Sequence, residues 1–417
     1  MKRIPMLAIT ALALLALAAP ALATNGYFSL GYGTPYKGMA GAGQALHLNT
    51  MASATNPATI AFVNGYDVSV GLFNPNREYT VSGNPSGYPG TFGLMPGTYE
   101  SDSSIFFMPG LAAAWHLSDT LHLGLAIYGN GGMNTDYPNP VFGQAPTGVN
   151  LMQAFVAPSF TVEFAEHQAI GVSPIFGWQS FEAKGLGAFS MFSSNPAKLT
   201  NNGADTATGF GARIGYHGKF GEHLGVGASY QTKIAMGEFD EYAGLFAEQG
   251  DFDIPATWTV GIALFPAKGW TVALDVQEIY YSDVASVGNL MLPNLMQAPL
   301  GADGGAGFGW ENVTVVKLGL QWEVSPRWTV RAGFAYCNQP IPESEVLFNI
   351  LAPGVIEEHL TVGFTTLLSQ KSALHFALMR GFSSSVEGAN PLEAPGQQTI
   401  ELKMDQWEAE VGFSFGF

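Results

Sequence analysis

The last eleven residues, Trp407 to Phe417, read W-E-A-E-V-G-F-S-F-G-F, and they constrain the fold more than any other stretch of the chain. Trp407, Ala409, Val411, Phe413, Phe415 and Phe417 fall on one side of a strand of period two. Glu408, Glu410, Gly412, Ser414 and Gly416 fall on the other. A soluble sheet can alternate in this way. An apolar face that is aromatic up to a terminal Phe, however, is what a bacterial outer-membrane barrel needs. One face meets lipid, the other faces a polar lumen, and closure against the first strand leaves no open edge.

The N-terminus agrees with export. Lys2 and Arg3 form a short positive region, Met6 to Ala19 is almost wholly apolar, and Ala21-Leu22-Ala23 is an A-x-A cleavage site. Residues 1–23 are therefore expected to be a signal peptide and the mature chain to start at Thr24. The apolar run is short for a membrane span, and no other stretch approaches the ~20 apolar residues a transmembrane helix needs. Crossing is left to strands. Composition fits: glycine is abundant (52 of 417), charged residues are 12%, and mean hydropathy is only slightly positive. The formal charge is −17, and loss of Lys2 and Arg3 makes it −17 − 2 = −19. So acidic a chain excludes nucleic acid as a partner, because phosphate attraction needs clustered Lys and Arg. Cys337 is the only cysteine, which rules out an intrachain disulfide and a cysteine-based metal site.

Beyond Gly65, fourteen strand-like segments are expected, near 65–73, 104–117, 121–129, 150–164, 168–182, 206–218, 223–235, 251–265, 269–283, 311–323, 327–338, 355–368, 371–384 and 403–417. Tight turns (Ser118–Thr120, Ala165–His167, Lys219–Glu222, Pro266–Lys268, Val324–Pro326, Ser369–Gln370) alternate with long links (74–103, 130–149, 183–205, 284–310, 385–402). Short periplasmic turns, long external loops and an even strand count are the pattern of an outer-membrane barrel. Trp115, Trp270, Trp322 and Trp328 sit beside the tight turns, where an interfacial girdle belongs. The expected fold is an all-β, antiparallel up-and-down barrel of 14 strands, residues 65–417. Residues 24–64 carry no strand alternation but hold G-M-A-G-A-G (Gly38–Gly43) and T-N-P-A-T (Thr55–Thr59). A barrel of this size is wider than its own side chains fill, so this apolar, small-residue segment is expected to be a plug inside the lumen.

These residues resemble a known family. T-N-G-Y-F-S from Thr24 to Ser29, G-Y-G-T-P-Y-K-G-M-A-G-A-G from Gly31 to Gly43 and A-T-N-P-A from Ala54 to Ala58 follow one another as in the FadL family of outer-membrane hydrophobic-compound channels, which includes TodX-like aromatic hydrocarbon transporters. The resemblance implies a fourteen-stranded barrel closed by an N-terminal hatch whose Asn-Pro-Ala motif corresponds to Asn56, Pro57 and Ala58. It also implies an inward kink of the third strand that opens a lateral hole in the wall. That strand here runs into G-N-G-G, so Gly129, Gly131 and Gly132 mark either the kink or the strand's upper end.

Other motifs carry less. Gly412-Phe413-Ser414-Phe415-Gly416 matches G-x-S-x-G formally but lies in an alternating strand without the strand–turn–helix corner a nucleophile needs. The glycine-rich stretches Gly31–Gly43 and Gly301–Gly309 lack the spacing and lysine of a phosphate loop. The eight histidines show no metal-binding spacing. No catalytic residue, metal or cofactor is expected. Arg213, Lys317 and Arg331 fall on the polar side of their strands, where each can pair with lumenal acids such as Asp275, Glu408 or Glu410, with the plug, or with a ligand carboxylate. Loop residues Leu94, Met95, Phe189, Met191, Phe192, Leu290 to Leu292, Leu295 and Met296 are suited to ligand capture or to packing loop on loop. The expected function is passive uptake of hydrophobic molecules, long-chain fatty acids or related lipids, through binding, plug movement and lateral release. Uptake of aromatic or aliphatic hydrocarbons is the alternative; a general porin and an outer-membrane esterase are the rivals. Expected partners are the hydrophobic substrate, outer-membrane lipid and lipopolysaccharide, and the barrel-assembly machinery through the C-terminal strand, with the protein acting as a monomer.

Overall fold

Strands with one apolar face and one polar face satisfy their backbones in a membrane only by closing on themselves. The computed structural model, which describes residues 25–416, contains such a closure. Its strands are β1 (Gly65–Ser82), β2 (Phe106–His116), β3 (Leu121–Tyr137), β4 (Thr147–Ala165), β5 (Gln168–Lys184), β6 (Asp205–Phe220), β7 (Leu224–Gln231), β8 (Thr257–Leu264), β9 (Trp270–Ile279), β10 (Val313–Ser325), β11 (Trp328–Cys337), β12 (Glu358–Ser369), β13 (Ser372–Ala389) and β14 (Thr399–Phe415). Each pairs antiparallel with its sequence neighbour, and β14 pairs with β1 from Tyr66↔Phe415 to Ser82↔Thr399. The result is a closed 14-stranded barrel. Two short pieces, Gly97–Glu100 beside β1 and Ala235–Met236 beside β6, extend the wall. No described helix is long and apolar enough to cross a membrane. The expected leader, Thr24 and Phe417 lie outside the described residues.

Each expected segment coincides with one barrel strand, but several strands run further. β1 continues past Phe73 to Ser82, and β14 begins at Thr399 rather than near 403. The reason is an inversion of polarity. In β14 the inward residues Ile400, Leu402 and Met404 are buried while Glu401, Lys403 and Asp405 point out; from Trp407 onward apolar side chains point out and Glu408 and Glu410 point in. β1 inverts at the paired level, with Arg77, Tyr79 and Val81 inward and Asn76, Glu78 and Thr80 outward. The inversion marks the outer membrane boundary, and Arg380 seals it by pairing with Asp405 and lying 4.9 Å over the Trp407 ring. From Trp407 to Phe415 the strand covers about 27 Å, or about 20 Å of height at a tilt of ~40°, close to the hydrocarbon band of such barrels. At the other edge Trp115, Trp270, Trp322 and Trp328 are exposed beside the tight turns, and Trp270 stacks on Trp322 at 5.2 Å.

The external loops fold inward over the barrel mouth. Phe142 meets Phe189 at 5.1 Å, Phe189 meets Phe348 at 5.0 Å, and Phe181, Phe246 and Phe252 continue the packing. The apolar loop residues divide accordingly. Leu94, Phe189, Met291 and Leu295 are buried in this layer, whereas Met95, Met191, Leu290 and Met296 stay exposed.

Candidate functional site

Asn25 to Phe62 is almost wholly buried against the inward face of the strands. Asn56 shows how. Its side-chain oxygen accepts from Ala58 N at 3.1 Å, capping the 3-10 turn Pro57–Phe62, and its amide donates to Gln44 O and to Tyr216 O of β6 at 3.0 and 2.8 Å. Pro57 supplies the fixed φ at the first position of that turn and its carbonyl accepts from Thr161 of β4 at 2.7 Å. Ala58 is fully buried. The wall beneath is bare by construction: a Cβ on Gly215 would lie 2.0 Å from Asn56 Oδ1, and one on Gly171 would lie 2.6 Å from Pro57 C. The same device recurs at Gly333 against Met39 and at Gly412 against Thr34.

Buried carboxylates fasten the segment around the circumference. Asp67 of β1 accepts from Asn49, from Thr50 N at 2.7 Å and from the Thr50 hydroxyl. Asp275 of β9 accepts from Gly43 N and Gln44 N at 2.7 and 2.8 Å. Glu408 and Glu410 of β14 enclose the Lys37 ammonium, and Glu410 also accepts from Thr34 Oγ1 at 2.6 Å. The expected barrel cations are committed elsewhere. Arg213 donates to Ala54 O, Tyr128 and Gln231; Lys317 donates to Leu30 O at 2.9 Å; Arg331 donates to Gln321 and Thr365 at 2.8 and 2.6 Å. Arg213, Lys317 and Asp275 share one polar cavity of about 40 Å³ beneath Phe28, room for water but not for a hydrocarbon. Arg331 stands apart from it.

Arg331 heads a relay. Thr365 Oγ1, which accepts from Arg331, lies 2.7 Å from His375 Nδ1; His375 Nε2 lies 2.6 Å from Ser414 Oγ; and Ser414 donates to Asp67. Because Ser414 gives its proton to Asp67, its oxygen accepts from His375 Nε2–H and the unprotonated Nδ1 accepts from the Thr365 hydroxyl, so His375 is a donor to Ser414, not a base for it. A Ser–His–Asp hydrolase needs the opposite sense, with the carboxylate on the far ring nitrogen. Ser414 lies within β14 and not on a strand-to-helix corner.

The third strand supplies the remaining feature. Its alternation of burial holds to Gly129 and then stops, since Asn130 to Thr135 are all buried. The register to β4 shifts between Gly129 and Gly131. Pairing of β3 with β2 ends at Tyr128↔Gly110, although β2 continues to Phe106 alongside β1. Higher up, the link that leads into β2 rejoins β3: Asp102 N donates to Asp136 O at 2.8 Å and the Ser103 hydroxyl to Asn134. Between these limits the wall has a window in its hydrogen-bond ladder. The N-terminal segment meets the diverted strand from inside: Ser29 N donates to Asn130 O, Gly132 N to Tyr27 O, and Tyr32 to the Asn130 side chain. Phe28 and Tyr27 then pack on Tyr281 and Trp310, with Tyr27 to Tyr281 at 4.9 Å. Neither Asn130 nor the acids Asp67 and Asp275 carry a motif; only their inward positions single them out.

The whole arrangement has counterparts. The chain matches the family model "Outer membrane protein transport protein (OMPP1/FadL/TodX)" over residues 15–406. Its fold is similar to that of the P. putida toluene transporter TodX (TM-score 0.68, 18% identity, covering 93% of this chain and 99% of that one). It is similar also to a Pseudomonas aeruginosa FadL homologue (0.64, 15%, 96% and 99%) and to the Ralstonia pickettii toluene transporter TbuX (0.61, 19%, 93% and 99%). Among curated proteins no sequence matches. A family match across nearly the entire chain, on a closed 14-stranded barrel, means that the protein belongs to the OMPP1/FadL/TodX family of outer-membrane transport proteins.

Proposed function

We propose that the protein takes up hydrophobic molecules passively by binding them from outside, shifting its N-terminal plug and releasing them sideways into the outer membrane. The observation that carries this reading is the window between β2 and β3, lined from inside by the same segment that fills the lumen. A movement of Tyr27 to Tyr32 changes lumen and window together. Lateral release suits molecules that partition into lipid, and the exposed Met95, Met191 and Met296 offer them polarizable contacts at the surface. Long-chain fatty acids or related lipids are the first substrate candidates. Hydrocarbons are the second, favoured by the likeness in fold to the toluene transporter TodX and the monoaromatic hydrocarbon channel CymD. A general porin needs an open lumen, and an esterase needs a serine whose proton faces a histidine; transport without catalysis is the reading that fits.

Deleting Gly131 to restore the β3 register, which leaves every other strand pair intact, tests the release step. Uptake of a labelled fatty acid and of a labelled aromatic hydrocarbon into cells should fall severalfold while folded protein in the outer membrane stays constant. Unchanged uptake of both would remove lateral release from the mechanism.

A further inference from the structure

At the periplasmic end the protein carries a cavity of about 670 Å³, bounded on the plug side by Leu46 and Leu48. Phe265, Trp270 and Thr271 line its wall, and the strand ends and tight turns there supply Lys219, Glu222, Lys268 and Glu323. Thr271 is buried on the lumenal face of β9, whereas its neighbour Trp270 is exposed on the lipid face and stacks on Trp322. The cavity therefore runs over the rim, from the lumen to the membrane interface where the tryptophan girdle sits. Its charges are unanswered: among the described residues Lys219, Lys268, Glu222 and Glu323 form no ion pair. Lys219 lies 5.1 Å over the Phe265 ring. The histidines of the lining are engaged elsewhere, His223 Nδ1 at 3.0 Å from Phe265 O and His47 against the Phe62 and His217 rings. Two ammonium groups and two carboxylates thus face one cavity without neutralising one another.

Charge and place select the occupant. A lone anion would meet Glu222 and Glu323, and a lone cation would meet Lys219 and Lys268; a group that carries one charge of each sign answers both pairs. Turns farther round the rim carry a single sign, Asp119 at 118–120, Glu166 at 165–167 and Lys371 after 369–370, and offer no such match. The lipid that meets this rim is the phospholipid of the inner leaflet. A head group with a phosphate and a primary ammonium two carbons apart has the required pattern, and its acyl chains can leave past Trp270 and Trp322. We propose that the periplasmic cavity binds phosphatidylethanolamine, with the phosphate on Lys219 and Lys268 and the ammonium on Glu222 and Glu323. The lipid then touches wall and plug together, through Trp270 on one side and Leu46 and Leu48 on the other. The site lies at the opposite end of the barrel from the external loops and is independent of which molecule is taken up.

The test places the purified protein in phosphatidylcholine vesicles and adds lipids with brominated acyl chains, which quench tryptophan on contact. The signal is the quenching lost in Trp270→Phe, and brominated diacylglycerol, which has no charged head group, is the reference. Brominated phosphatidylethanolamine should quench wild type at about a threefold lower mole fraction than the reference, as charge-assisted bonds at a solvated rim allow. Phosphatidylcholine, whose ammonium donates no hydrogen bond, should fall between, and phosphatidylglycerol should stay near the reference. Lys219→Gln with Lys268→Gln should bring phosphatidylethanolamine to the reference. Glu222→Gln with Glu323→Gln should instead make phosphatidylglycerol the preferred lipid, a gain that misfolding does not produce. All four side chains are exposed or half-buried, so the barrel should still shift on heating in each variant. Excess inorganic phosphate should leave the quenching unchanged; displacement by it would mean that the cavity takes a free anion and would overturn the assignment. So would phosphatidylethanolamine no better than diacylglycerol, phosphatidylglycerol as the best lipid of wild type, or a preference that survives both double variants. None of these outcomes bears on uptake.

Discussion

Lys37 is where the N-terminal segment is most exposed to a single change. Its ammonium separates two carboxylates, Glu408 and Glu410, that point into the lumen from β14. Lys37→Met would leave two like charges buried without a cation, a loss of about 3–5 kcal/mol of docking by the usual cost of breaking a buried pair. The expected readout is a leak of small hydrophilic solutes in planar bilayers, reversed when Glu408→Gln and Glu410→Gln are added. A leak that persists in the triple variant would mean that Lys37 acts by packing and not by charge. Gly333→Val makes the steric counterpart. Its Cβ would sit 2.2 Å from the Met39 carbonyl carbon, so the segment must lift while the β11 ladder is untouched; leak without loss of folded barrel is expected, and a silent pore would show that the wall yields instead. At this scale the sequence was legible only in part. Asn56, Pro57 and Ala58 stand in a motif whose local turn is visible in the residues themselves. Gly333 and Gly215 read as any small residue on a polar face until the backbone lying on them is known. The inward direction of Arg213, Lys317 and Arg331 followed from alternation, but which of them kept free donors depended on contacts far away in the chain, and among the described residues the buried cation with unanswered donors is Arg77, in a stretch whose alternation is inverted.

That inversion governs what could be read at the scale of elements. The strands were visible wherever lipid meets their outer face, because apolar-out and polar-in then alternate, as in Leu224 to Tyr230 or Trp328 to Tyr336. Above Trp407 the outer face meets water and the inner face meets packed loops, so the upper parts of β1 and β14 looked like links. β3 misled in another way: Gly129 to Gly132 ended the alternation, yet the strand goes on to Tyr137 behind a register shift. Loop packing was not legible at all, since Leu94 and Met95 have the same character and opposite burial. One loop property is testable by pH. Between β7 and β8, burial together with Asp253 and Glu248 pushes Asp251 up to about 7, against the pull of Lys233. A carboxyl with a folded value above its unfolded one near 4 binds its proton more tightly in the closed loop. Closure is therefore fully favoured below about pH 4, weakens as the pH rises to about 7, and is level beyond. Amide exchange over residues 240–254, corrected for intrinsic rates, should show less protection at pH 8 than at pH 5, and Asp251→Asn should remove most of the difference. Equal protection in wild type at both values would show that Asp251 ionises freely in the loop.

For the molecule as a whole, barrel and N-terminal segment are coupled in space but independent in folding logic. Closure rests on ladders from β1 to β14 that use no residue before Gly65, whereas the segment is tied to the wall at three places around the ring: Asp67 of β1 beside Glu408 and Glu410 of the adjoining β14, Asp275 of β9, and the Tyr216 carbonyl of β6. Purified and unheated, the protein should accordingly run as a compact strand-rich species that shifts on boiling, and it should do so equally in variants of the segment. Replacing Asn56-Pro57-Ala58 by Gly-Ser-Gly gives the sharpest case. It removes the cap on the 3-10 turn, the fixed φ and the tie to Tyr216, while the anchors on β1, β9 and β14 remain. The segment should stay inside the barrel but lose its seat against β5 and β6, where Gly171 and Gly215 leave no side chain to hold it. Uptake of a labelled fatty acid should drop severalfold, and single-channel recordings should show a small, flickering conductance instead of the large steady one given by deletion of residues 25–62. Steady large conductance from the replacement would mean that this one anchor holds the entire segment. Normal uptake with no conductance would mean that Asn56, Pro57 and Ala58 neither gate the barrel nor support the ligand path, and the work of the segment would then lie with the Tyr27 to Tyr32 stretch against the window.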